Sequence, residues 1–77
     1  MKATELKRRL AAEGFRKDVY GIDGSLPSYE GLILERTETG WKIDHFERGM
    51  RRELEAFSTE EQACQRMYEL LIEHFRW

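Results

Sequence analysis

The sequence predicts an α+β fold: an α-β-β-β-α two-layer sandwich, with two helices packed on one face of a three-stranded antiparallel meander. Three observations predict it. Apolar residues recur at helical spacing near both ends of the chain. Three β-type segments lie between those ends, separated by short turns containing Gly40 and Gly49, and connections that short force neighbouring strands to run antiparallel. The 77 residues allow one domain spanning 1–77, whose helices must cover the sheet because no second layer is available.

The first helix is expected over about 4–13. Leu6 and Leu10 are four apart, and Ala3 and Ala11 extend the stripe. Thr4 is a candidate N-cap. Gly14 suits a left-handed C-terminal residue, and Phe15 follows where a Schellman motif wants an apolar contact. A long loop is expected over 16–30, since Gly21, Asp23-Gly24, Ser25 and Pro27 all favour turns. Some of its apolar residues must pin it to the core, with Tyr20 to Ile22 as a short edge strand.

Strands are expected over about 31–37, 41–47 and 51–57. Trp41, Ile43 and His45 share one face of the middle strand, and Lys42, Asp44 and Phe46 share the other. Arg48-Gly49 makes a tight hairpin, with Gly49 supplying positive φ. Ser58 and Glu61 have the spacing of a capping box, opening a helix over about 59–74. Its buried side should carry Ala63, Met67, Leu70, Leu71 and His74, widened by Cys64, Tyr68 and Phe75. The helices should cover Leu32, Leu34, Trp41, Ile43, Leu54 and Ala56. Ile33, Glu35, Lys42, Asp44, Phe46, Arg51, Glu53 and Glu55 should then form the open face.

Composition narrows the function. Hydrophobic residues make up 40% and charged residues 36% of the chain, and nine aromatics exclude a disordered polymer. The basic start has no apolar run behind it, so no signal peptide is read there. No stretch approaches the roughly 20 apolar residues of a membrane span. With a lone Cys64, the expectation is a cytoplasmic protein in a reducing compartment. Charge is segregated. Residues 1–17 hold six basic and two acidic residues; residues 18–47 hold seven acidic and two basic. The acidic centre suits a basic partner.

Catalytic chemistry finds no support in the pattern. Asp44 and His45 are strand neighbours and point to opposite faces, so the carboxylate cannot orient the imidazole. Cys64 lies on the apolar stripe and reads as a packing thiol. Cys64, His45 and His74 lack zinc-site spacing. Phosphate-loop and nucleophile-elbow motifs are absent. No catalytic residue, cofactor or metal is therefore expected.

A resemblance adds to this reading. The stretch Tyr20-Gly-Ile-Asp-Gly-Ser-Leu-Pro to Tyr29, then Gly40-Trp41-Lys42-Ile43, Glu47-Arg48-Gly49, and Phe57-Ser-Thr-Glu-Glu-Gln-Ala-Cys64 resembles small immunity proteins of bacterial polymorphic-toxin and contact-dependent inhibition systems. Ser25 departs from a glycine or other small residue in that pattern. The resemblance runs from Tyr20 to Leu71. It implies a protein that binds and neutralises the C-terminal domain of a cognate toxin, with no catalytic residues of its own. The acidic centre suits a toxin that acts on nucleic acid.

Combining charge, aromatic character and the open face, the partner-binding candidates are Tyr20, Asp23, Tyr29, Glu30 and Glu35, with Asp44, Phe46, Glu47 and Arg48. The expected partner is a protein, with no nucleic acid and no membrane, bound by a monomer or weak dimer. Two other readings stand beside this one. The element order is also that of double-stranded-RNA-binding domains, although Glu60 and Glu61 at the start of the last helix oppose phosphate. A small regulatory adaptor that binds a protein has the same sequence character.

Overall fold

The computed structural model describes residues 1–76 and consists of two helices and a four-stranded mixed sheet. Helix α1 (Ala3–Ala12) buries Ala3, Leu6 and Leu10. It ends in the expected Schellman motif. Gly14 is left-handed at φ 83°, the Phe15 amide donates to Leu10 O at 3.0 Å, and the Gly14 amide donates to Ala11 O at 3.2 Å. Phe15 turns into the core.

The start of α1 differs from the expectation. Thr4 lies inside the helix, and the cap position is Lys2, whose side chain makes no cap bond. The Ala3 amide donates instead to Glu60 Oε2 at 2.7 Å. Glu60 opens helix α2 (Glu60–Phe75), so one helix supplies the carboxylate that caps the other. The start of α2 differs from the expectation as well. Its N-cap is Thr59, whose Oγ1 accepts from the Gln62 amide at 3.2 Å, not Ser58 paired with Glu61. Both spacings satisfy the capping-box pattern. The later frame places Glu60 in the first turn, where it reaches α1.

The sheet order is β1 (Tyr20–Gly21), β2 (Glu30–Thr37), β3 (Gly40–Glu47), β4 (Met50–Phe57). The last three strands form the expected antiparallel meander. The short edge strand expected at Tyr20 forms and raises the strand count from three to four, pairing parallel to β2 with Tyr20 opposite Leu32 and Gly21 opposite Ile33. Two glycines permit this close approach. A Cβ on Gly31 would collide with the Val19 carbonyl oxygen, and one on Gly21 with that of Ser25. The returning loop is held by Ser25, whose Oγ accepts from the Ile22 amide at 3.2 Å and donates to the Ile22 carbonyl at 2.9 Å.

Leu32, Leu34 and Ile43 meet the buried stripe of α2, where Ala63, Cys64, Met67, Leu70 and Leu71 are buried. His74, expected on that stripe, is exposed. A β-bulge corrects the end of β4. Ile43 pairs with Glu55 and Asp44 with Glu53, leaving Leu54 without a partner. Beyond the bulge the faces exchange. Glu55 accepts a hydrogen bond from Arg66 of α2 at 2.9 Å, and Ala56 pairs with Lys42, so Glu55 belongs to the helix side and Ala56 to the open face. The bulge and the charges of Arg51, Arg52, Glu53 and Glu55 blunt this outer strand against further pairing.

The open face is narrower than its sequence implies. Ile33, Asp44 and Phe46 are all buried. The 22–29 loop lies over the β2 side, with Pro27 against Gly31 and Leu26 sharing a shallow groove with Ile33 and Arg51. Among the described residues, no helix is long and apolar enough to cross a membrane.

Cys64 is fully buried, and burial, aided by nearby Glu60, pushes its thiol up to about 11. Iodoacetamide at pH 8 is therefore expected to leave the native protein unlabelled and to label it fully in urea. Rapid native labelling would place the thiol outside the core.

Candidate partner-binding surface

The two-residue turn between β3 and β4 builds this surface. Arg48 and Gly49 have φ of 53° and 81°, the left-handed pair that a tight hairpin requires. Asn, Asp or Gly fills the first position at lower conformational cost than arginine. Arg48 is held there by its contacts with Tyr29. The Arg48 amide donates to Tyr29 O at 3.0 Å. Its Nε donates to the Tyr29 hydroxyl at 2.8 Å, and the guanidinium carbon lies 5.7 Å from the ring centroid. Tyr29 nonetheless stays 56% exposed. An arginine and a tyrosine fixed against each other yet open to solvent are the residue types that dominate binding hot spots.

Beside them, Glu30 and Glu47 sit directly opposite each other across β2 and β3. Facing carboxylates repel. His45 Nε2 lies 3.1 Å from Glu30 Oε2. Glu30, His45 and Glu47 each bring a ligand-type atom within 4.8 Å of the others, an arrangement open to a cation or to a partner's basic side chain. Met50, opposite Glu47 at the start of β4, is 76% exposed.

Four of the nine sequence candidates therefore converge here: Tyr29, Glu30, Glu47 and Arg48. Asp23 is exposed at a left-handed turn position, φ 63°, with Lys7 Nζ 3.9 Å away. Glu35 accepts from Arg51 Nη2 at 3.1 Å and lies 3.5 Å from Lys42 Nζ. Tyr20, Asp44 and Phe46 were expected at the surface and are buried instead. Tyr20 is drawn in by its pairing with β2, and burial pushes its hydroxyl pKa up. Asp44, 2% exposed, is drawn in by charge. Its Oδ2 accepts from Arg51 Nε at 3.0 Å and Nη2 at 2.8 Å, with Lys42 Nζ at 3.4 Å. The Asp44 bond is the main cause that raises the Arg51 pKa.

Comparison with known proteins gave no match: no family model, curated protein or solved structure aligns with this chain.

His45 and Met50 belong to the surface and were absent from the candidates. The signal for His45 was present. A two-residue turn at Glu38-Thr39 fixes the hairpin register, and that register places residue 45 next to the 30–47 pair. Met50 carried no such signal, because a methionine at a strand start reads equally well as core.

Proposed function

We propose that this chain is an immunity protein that binds and neutralises a cognate bacterial toxin domain, and that the hairpin end is its contact surface. The observation that carries the reading is the exposed group of Tyr29, Arg48 and Met50 beside the opposed Glu30 and Glu47. Aromatic and arginine anchors beside a solvent-exposed apolar side chain are what a protein interface uses. The paired carboxylates suit a basic cleft, such as that of a nuclease. In this reading the protein acts in the cytosol by covering its partner and catalyses nothing itself. RNA binding is disfavoured by Glu60 and Glu61 in the first turn of α2.

The test is co-expression with the polypeptide encoded immediately upstream, read by co-purification and by rescue of growth. Tight binding with rescue is expected; neither, with an active toxin in hand, would overturn the proposal. Tyr29→Ala and Arg48→Asn should each weaken binding by about tenfold or more. Arg48→Asn is informative because Asn favours the left-handed turn, so thermal stability should hold or rise while affinity falls. Glu30→Lys and Glu47→Lys should slow association most strongly at low salt. Unchanged affinity in all four variants would move the interface elsewhere.

A further inference from the structure

A second surface lies between α1 and the 22–29 loop and shares no residue with the hairpin end. It is a groove of about 460 Å³ with mainly apolar walls. Ala11, Tyr20 and Leu26 line it, and Lys7, Arg8 and Lys17 stand around its rim. Lys7 has a loose ion pair to Asp23 at 3.9 Å. Among the described residues, Arg8 and Lys17 have no carboxylate within ion-pairing distance. This rim belongs to the most basic stretch of the chain.

Leu26 decides what the groove is for. It is 56% exposed, yet the backbone around it is fixed. Asp23 and Gly24 both occupy left-handed conformations, Ser25 Oγ bonds Ile22 through both its amide and its carbonyl, and Gly21 lacks a Cβ so that the Ser25–Leu26 backbone can rest on it. Such constraints hold an apolar side chain at the lip of a groove without burying it. A preorganised apolar contact of this kind lowers the ordering cost of binding.

We propose that this groove docks an acidic peptide segment of a partner protein, with one apolar side chain of that segment seated against Leu26 and Tyr20. The carboxylates would pair with Lys7, Arg8 and Lys17. Nucleic acid fits less well. Phosphates would use the rim and leave the floor idle, and an aliphatic Leu26 beside a mostly buried Tyr20 offers bases no stacking platform.

The test is an NMR titration of the isotope-labelled full chain with a short peptide of Glu and Asp carrying one central Phe. Amide shifts should concentrate at Lys7, Arg8, Ala11, Tyr20 and Leu26. Changing the peptide Phe to Ser, or Leu26→Ser in the protein, should each weaken binding about tenfold. Arg8→Glu with Lys17→Glu should abolish it. All three positions are exposed, so an unchanged spectrum before titration certifies the fold of each variant. Equal binding of the Ser peptide, full binding by the charge-reversed variant, or tighter binding of oligouridylate than of the Phe peptide would each overturn the proposal. None of these outcomes bears on toxin binding by the hairpin end.

Discussion

Arg51→Met is expected to destabilise the protein by about 3 kcal/mol, because it leaves Asp44 buried without its guanidinium partner. Asp44 is 2% exposed, and both Arg51 bonds fall on the same oxygen, Oδ2. Its Oδ1 is buried and has no protein partner among the described residues. Once Arg51 is gone, Lys42 at 3.4 Å is the one cation among the described residues that still pairs with the charge. A domain of this size has a total stability on the order of 4–10 kcal/mol, so the loss is a large share of it. Urea denaturation measures the effect. Combining Arg51→Met with Asp44→Asn should cost less than the sum of the two single changes, since the neutral amide no longer needs a cation. A single-variant loss under about 0.5 kcal/mol, the range of ordinary surface changes, would mean that Asp44 does not depend on Arg51.

Leu71→Ala should have an effect of similar size by a different route. Leu71 is fully buried where α2 meets the sheet. Truncation removes about 2–5 kcal/mol through lost transfer energy and the cavity left behind. For a chain of this length, that corresponds to a fall in melting temperature of about 10 °C or more. Met50→Ser is the control. At 76% exposure it should leave stability within about 0.5 kcal/mol and report only on partner binding. A fall in melting temperature of only a degree or two for Leu71→Ala would contradict the packing described for α2.

The two hairpins show how far local chemistry reaches. Gly14 and Phe15 close α1 as their types require, and the turns at Glu38-Thr39 and Arg48-Gly49 set the β2–β3–β4 register. The apolar stripe of α2 was readable from Ala63 to Leu71 because period and amphipathicity are properties of contiguous residues. From the same register, Tyr29, Glu30, Glu47 and Arg48 fall at one end of the sheet, and the sequence had already singled out all four.

What the sequence determined by itself is therefore the α+β class, both helices, the meander and four of the six residues of the hairpin-end surface. Each rests on interactions within a few residues or across a two-residue turn. The tertiary structure alone decided the rest. Tyr20 pairs with Leu32 in parallel, twelve positions away in sequence, through a loop whose path no local pattern encodes. Glu60 caps α1 from the far end of the chain and goes with the later of two equivalent capping frames. The bulge at Leu54 exchanges Glu55 and Ala56 between faces, because a single unpaired residue reverses an alternation of period two. Asp44, polar on an open-looking face, goes inward because Arg51 and Lys42 converge on it from β4 and from its own strand. A charge is buried where partners meet it, and which partners meet is settled only when the strands assemble.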